Sequence, residues 1–313
     1  MIDTEKSFIV TFAGQAAKDY PNAQIPELAQ HREAIENFEM LTSDSSIAKR
    51  IKAASPLSFG YFATLAANEV VTSKQAEELV IIRYEIVQEN EAKREAAGLG
   101  RTAMASVLIR DRAKVEAMID PNSEEFKFIA EGLGRIPEIY ISNEYGNLFV
   151  LAGDRQFLEV LSSQSGSRVN ILESINAGYH CPLMQEVSIK MEQAIQHIDF
   201  KDSRNPIITP TDAEISTDGR VLKDAVIKAL WQPVNLEDII KRINELKASI
   251  GDSDLLDCGP GTLIQRLLGK KLDVISLEAV MTEIRELRGS LADRKAALAV
   301  RLREILSPQA ALA

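Results

Sequence analysis

The stretch 137–164, PEIYISNEYGNLFVLAGDRQFLEVLSSQ, switches from strand to helix spacing within one short segment. PEIYISNE (137–144) and GNLFVLAG (146–153) are apolar runs of strand length, meeting at a Tyr-Gly turn, and therefore predict a hairpin. DRQFLEVLSSQ (154–164) returns to helical spacing. Upstream, TAMASVLI (102–109) reads as a strand and RDRAKVEAMI (110–119) as a helix; downstream, SRVNILESI (167–175) reads as a strand. The order is β-α-β-β-α-β, the split ferredoxin-like arrangement. It is complete within about half the length of a typical domain. The expectation is an inserted small subdomain at 102–175, within a larger unit formed by 1–101 and 176–313.

The flanks alternate strand and helix, which predicts a parallel α/β sheet. SFIVTFAGQ (7–15) reads as a buried strand ending at a glycine turn. KRIKAAS (49–55) reads as too polar for a buried central strand. Thr72 and Gln75 form a capping-box pattern ahead of a helix over KQAEELVIIRYEIVQENEAKREA (74–96). After the insert, CPLMQEVSIKMEQAIQHI, RVLKDAVIKALWQPV and LEDIIKRINELKASI read as helices. NPIITPTD and the start of DLLDCGPGTLIQRLL read as strands. The tail from about Ile275 to Leu306 reads as helices carrying regularly spaced leucines and basic residues such as Arg285, Arg288 and Arg294. Such a tail packs on its own domain or, alternatively, docks an acidic partner.

With 313 residues, the chain is long enough for a substantial core. The net charge of −10 argues against nucleic acid as the main partner. The sequence has no P-loop and no dinucleotide-binding glycine pattern. No apolar run reaches bilayer-spanning length, and the N-terminal stretch lacks a basic leader region, so a cytoplasmic setting is expected. Two cysteines, Cys181 and Cys258, fit reduced thiols in that setting. No Cys/His spacing predicts a metal site.

Three residues carry chemical interest. His180, in NAGYHCPLM (176–184), is one of only three histidines. It is either a structural ring or a general base, and a base needs a hydroxyl to activate. Ser58, in SPLSFGYFATLAANEVV (55–71), precedes a helix of small residues at a turn. It reads as an N-cap or as a nucleophile on an elbow, where the next N–H faces a developing oxyanion. Arg83 falls in the middle of the apolar face made by Ala76, Leu79, Val80, Ile86 and Val87. A guanidinium there needs an anion, either a structural carboxylate or a substrate carboxylate held by its fork.

The fragments, in order, resemble the malonyl-CoA:acyl carrier protein transacylases and the acyltransferase domains of fatty-acid and polyketide synthases. FAGQ (12–15) resembles the family's Phe-Pro-Gly-Gln segment. SFGYFATLAANEVV resembles its nucleophile stretch, and IIRYEIVQ (81–88) its arginine helix. TAMASVL opens a ferredoxin-like insert in the same place, and GYHCPLM resembles the histidine segment. WQPV and DCGPGTLIQRLL resemble later signatures. The resemblance implies an α/β-hydrolase-like large subdomain with the inserted small one. It implies Ser58 as nucleophile, His180 as base, Gln15 and the Phe59 N–H as oxyanion hole, and Arg83 as the carboxylate anchor. Asn143 would be a wall of the cleft.

The implied activity moves a malonyl-type group from coenzyme A to the phosphopantetheine thiol of an acyl carrier protein, with no bound cofactor or metal. A synthase partner through the C-terminal helices is part of the same expectation. A carrier-binding scaffold with a degenerate site, and an acyl-thioester hydrolase, are the alternatives. The departures lie at the elbow, where Pro56, Leu57 and Tyr61 replace the family's glycine, histidine and glutamate. The segment between Gln15 and Ser58 is also short, and the expectation is that a helix and part of the sheet edge are missing there.

Overall fold

The computed structural model describes residues 6–14, 19–165, 168–251, 253–269 and 271–277, with isolated positions between 293 and 301. The first part of the chain forms β1 (Ser7–Thr11), α1 (Pro26–Thr42), α2 (Ser45–Arg50), β2 (Ile51–Ala54), α3 (Tyr61–Ala67) and α4 (Ser73–Ala96). The middle forms β3 (Thr102–Leu108), α5 (Arg112–Ile119), α6 (Glu124–Ala130), β4 (Ile139–Tyr145), β5 (Leu148–Asp154), α7 (Arg155–Ser165) and β6 (Val169–Ile171). The last part forms α8 (Gln185–Ala194), β7 (Ile207–Ile208), β8 (Ile215–Ser216), α9 (Gly219–Trp231), β9 (Val234–Asn235), α10 (Leu236–Ile250), β10 (Ser253–Asp257), α11 (Leu263–Leu268) and β11 (Val274–Ser276).

Six strands form the larger sheet, in the order β11-β10-β1-β2-β7-β8. All neighbours are parallel except β7 and β8. Strand β1 is buried on both faces. Phe8, Val10 and Phe12 point into one core cluster, while Ile9 and Ala13 point into the other. Helices α4, α8 and α9 supply the first cluster, and α10 and α11 the second. This is the two-sided cover that a parallel sheet requires.

The expectation for KRIKAAS is corrected here. Lys49 and Arg50 end α2, and only Ile51–Ala54 is strand, with Lys52 its single exposed position. The strand is central, between β1 and β7. The short segment before Ser58 holds α1 and α2. The tail expected as helix from Ile275 begins instead as β11, which extends the sheet beside β10. Of the rest of that tail, only a few positions between 293 and 301 are described, and these are helical as expected.

The smaller sheet has the order β6-β3-β5-β4-β9. Its first four strands are antiparallel in the ferredoxin-like order. Strand β6 keeps only three of the nine residues expected to be extended. Strand β9 comes from outside 102–175 and adds in parallel, with Asn143 opposite Val234. Alternation splits the two faces. Ala103, Ala105, Phe149 and Leu151 face a core closed by Val115, Phe126 and Leu158 of α5, α6 and α7. Met104 and Ala152 face the larger unit and join its core. Where the two faces separate, a cleft opens.

Among the described residues no helix is long and apolar enough to cross a membrane. Nor does any group of three or more His, Cys, Asp or Glu among them have a metal-holding arrangement. Both cysteines are free and buried.

Candidate active site

Ser58 stands where β2 gives way to α3. Two ladder-like bonds fix the approach: Ser55 donates its N–H to Val10 O at 2.9 Å, and Leu57 donates to Phe12 O at 3.0 Å. The chain then turns through Ser58 at φ 48°. A positive φ at a non-glycine residue is held by its surroundings and lifts the side chain clear of the strand end. A single 3-10 turn, Ser58–Gly60, leads into α3. Gly60 is obligatory: a Cβ there would lie 2.1 Å from Phe12 O. Tyr61, where the resemblance predicts glutamate, is buried and donates its hydroxyl to Leu222 O at 2.9 Å. The altered elbow is thus packed and satisfied.

His180 comes from the far side of the insert. Its segment is a loop: the strand expected to run to Ile175 stops at Ile171. Gly178 donates its N–H to Thr102 Oγ1 at 2.7 Å, and His180 donates its own to Leu230 O at 2.8 Å. His180 also has positive φ, 59°. Across 122 positions of sequence, its Nε2 lies 2.6 Å from Ser58 Oγ. Burial lowers the imidazole pKa to about 4, with Arg83 pushing the same way and the backbone carbonyls of Gln232 and Ala229 pushing back. The ring is neutral near pH 7. With the Ser58 hydroxyl donating to Nε2, the ring proton belongs on Nδ1. Next to it, burial pushes the Cys181 thiol up to about 12, which rules it out as a competing thiolate.

Arg83 is buried in α4, on the face the sequence predicts. Its guanidinium carbon lies 4.0 Å from the Tyr179 ring centre and 5.2 Å from that of Phe59. Such stacking stabilises a desolvated cation by about 2 kcal/mol. Arg83, Ser58 and His180 all border one small chamber of about 20 Å³, with Phe59, Phe62 and Leu230.

On the other side of the dyad lies the cleft, with a volume of about 600 Å³. Ser58 and His180 form its floor, Met104, Asn143 and Val150 one wall, and Leu236, Leu263 and Leu267 the opposite wall. Asn143 lines this cleft. It follows a register shift in β4, and Ser142 Oγ donates to its Oδ1 at 2.9 Å. A bulge of this kind re-aims a side chain beside a site. Gln15 lies outside the described residues; Gly14 and Asp19, which flank the undescribed positions of that loop, line the cleft.

The sequence reading missed Tyr179 as the platform under Arg83 and Arg266 as a cation on the cleft lining. Tyr179 adjoins the histidine in the quoted motif, which was a usable signal. Nothing in the spacing of LIQRLL singles out Arg266.

No protein-family profile matches the chain. It is similar to the malonyl CoA-acyl carrier protein transacylase of Bacillus subtilis, 26% identical over 216 residues, covering 68% of this chain and 62% of that protein. The Escherichia coli K12 protein of the same name is 23% identical over 226 residues, covering 71% of this chain and 67% of that one. The match thus spans less than two thirds of the Bacillus subtilis relative's length. Among solved structures, the acyltransferase domain of an iterative polyketide synthase in enediyne biosynthesis superposes with TM-score 0.65 at 17% identity, over 96% of this chain and 71% of that one. A malonyl-transacylase in complex with its type II polyketide synthase acyl-carrier protein superposes with TM-score 0.63 at 18% identity, over 94% and 100%. These likenesses establish the two-subdomain acyltransferase fold.

Proposed function

We propose that this chain, a divergent relative of the malonyl-CoA:acyl carrier protein transacylases, is itself an acyltransferase that carries its acyl group on Ser58. The observation that carries this reading is the 2.6 Å approach of Ser58 Oγ to a buried, neutral His180 at the floor of the cleft.

In this reading, Ser58 Oγ attacks the thioester carbonyl carbon of malonyl-CoA while its proton moves to His180 Nε2. The tetrahedral oxyanion is met by the Phe59 N–H and the Gln15 amide. When the C–S bond breaks, imidazolium returns the proton to the departing sulfur. The acyl-enzyme then reacts with a phosphopantetheine thiol, with His180 taking that proton and returning it to Ser58. Arg83 pairs with the free carboxylate of the acyl group. The chamber it borders, at about 20 Å³, is the size of one water site. Loading a malonyl head therefore requires Phe59, Phe62 or Arg83 itself to shift. The cleft, with its mixed aliphatic and polar lining, suits the amphipathic pantetheine arm shared by coenzyme A and a carrier protein, and neither a bound cofactor nor a metal has a step in this chemistry. A cytoplasmic setting, and subdomain limits at 101/102 and 175/176, belong to the same reading.

The test is intact-mass measurement after mixing with malonyl-CoA. The expected result is one added malonyl group, absent in Ser58→Ala. No adduct and no Ser58-dependent release of coenzyme A would refute the reading in favour of a carrier-binding scaffold. Release without transfer, when a carrier is present, would make the protein a hydrolase.

A further inference from the structure

Helix α1 has an unusual buried stripe. Its inward face carries Glu27, Gln30, His31 and Asn37 among only a few apolar residues. Buried polar side chains are costly unless hydrogen-bonded, so their partners show what the stripe does.

Gln30 donates its amide to Gly14 O at 2.7 Å and to Ala13 O at 3.3 Å. Both carbonyls belong to the loop that follows β1 and reaches Ser58. A Cβ on Gly14 would lie 3.5 Å from Ser58 Cβ, and one on Gly259 would lie 2.3 Å from Ala13 N. Leu57 holds the loop by its bond to Phe12 O, and Gly60 presses on the same carbonyl. The loop is thus gripped by the elbow on one side and by the 257–261 turn on another, and Gln30 closes the side that faces α1. Because the peptide is trans and planar, turning the Ala13 carbonyl to α1 turns the Gly14 N–H away from it.

One turn earlier, Glu27 accepts from Asn176 Nδ2 at 2.8 Å, and Asn176 Oδ1 accepts from the Tyr179 hydroxyl at 2.8 Å. Tyr179 lies under the Arg83 guanidinium and immediately precedes His180. Glu27 is 2% exposed and Gln30 3%, so both bonds form away from bulk water.

We infer that α1 holds the two halves of the site in register, with Gln30 the positioning residue for the loop beside Ser58 and Glu27 the positioning residue for the Tyr179 ring beside His180. This rests on the acyl-enzyme reading above. Neither side chain meets substrate; each acts through its partner. The signatures therefore differ. Loss of the Gln30 donor misplaces the wall around the reacting oxygen and lowers the rate. Loss of the Glu27 acceptor lets the Tyr179 ring rotate and weakens the carboxylate anchor, which raises KM.

The experiment compares the full-length protein with Gln30→Met, Glu27→Leu and Glu27→Gln. It uses single-turnover loading from malonyl-CoA together with Ser58 labelling by an alkyl fluorophosphonate, and it counts only the folded fraction of each sample. Gln30→Met is expected to lower maximal loading and labelling by about 10- to 100-fold at parental KM, the scale of a misplacement of about 1 Å. Glu27→Leu is expected to raise KM for malonyl-CoA by about ten-fold with a smaller effect on labelling. Glu27→Gln still accepts from Asn176 and should recover most of that KM. If Gln30→Met does not fold, Gln30→Asn, whose amide is drawn back by one methylene, carries the same expectation. Parental rates and KM in folded Gln30 and Glu27 variants would overturn the inference while leaving the acyltransferase reading intact. A parent protein that neither loads nor labels would overturn that reading and this inference with it.

Discussion

The two spaces that meet at the Ser58–His180 pair are built by opposite means. The cleft, about 600 Å³, lies between two sheets and is walled by side chains from several elements of both, aliphatic ones such as Leu236 and Leu267 beside polar and charged ones such as Asn143, Glu144 and Arg266. The chamber, about 20 Å³, lies inside one subdomain and is arranged around one buried cation and its aromatic platform. A wall of many small contributions tolerates change at each, whereas a site built on one charge does not. The cleft should therefore govern how well the arm of a thioester binds, and the chamber should govern which acyl group is accepted.

The largest expected effect is on the chamber. Arg83→Ala should lower kcat/KM for malonyl-CoA by about 10³-fold, or about 4 kcal/mol, the scale of removing one partner of a buried charge pair. Loading from acetyl-CoA should change by less than about ten-fold. Competition between the two thioesters, read by intact mass, checks this. Equal losses on both would make Arg83 a structural cation and erase the contrast between the two spaces.

A smaller effect follows from shape. Phe62 borders the chamber and packs against Phe59 at a tilt of 53°, with ring centres 5.4 Å apart. Phe62→Leu should enlarge the chamber and favour an α-methyl malonyl thioester over malonyl by about ten-fold relative to the parent, since one methyl group is worth about 1–3 kcal/mol in such a pocket. The fold should lose about 1–3 kcal/mol, readable by denaturant melts. Across the dyad, Val150→Trp should fill part of the cleft. It should raise KM for every coenzyme A thioester by about five-fold and leave acyl preference as it was, because the wall shares its binding energy among many contacts. A changed preference there would show that acyl selection extends into the cleft.

Much of this arrangement was legible in the sequence, and the reason differs by region. Helix α4 was readable because its Thr72–Gln75 capping box and its apolar face are local signals, and Arg83 stood out only against that face. The ferredoxin-like order was readable because each segment carries its own period. Helix α1 was not readable, since a stripe made of Glu27, Gln30, His31 and Asn37 has no apolar periodicity to detect. Strand β2 was obscured because it is four residues long and its neighbours, Lys49 and Arg50, end a helix instead. Strand β9 was invisible for the same reason of length, and its pairing with β4 is purely tertiary. The identities of Ser58 and His180 were visible. Their positive φ values and their approach to each other depend on Gly60, Thr102 and Leu230, which lie on separate elements.

The mildest expected change is in pH dependence, and it separates two histidines. A base must be neutral to accept the Ser58 proton. With its pKa lowered from 6.5 to about 4, His180 keeps its lone pair well into acid. An unshifted histidine, by contrast, would be about nine-tenths protonated at pH 5.5. Loading rates should therefore change by less than about two-fold between pH 7.5 and 5.5, and the acid limb should appear near 4; a limb near 6.5 would mean that the ring is solvated. The same shift acts on stability with a fixed sign. Burial also lowers the pKa of His31, inside α1, to about 4. For both rings the folded value lies below the unfolded one, so the unfolded chain binds more protons. Stability is complete above 6.5 and is lost as pH falls from there toward 4. By pH 5.5 each ring should cost on the order of 1 kcal/mol. His31→Leu should remove about half of that slope in urea melts while leaving the acid limb of loading where it was, because only His180 touches the reacting oxygen.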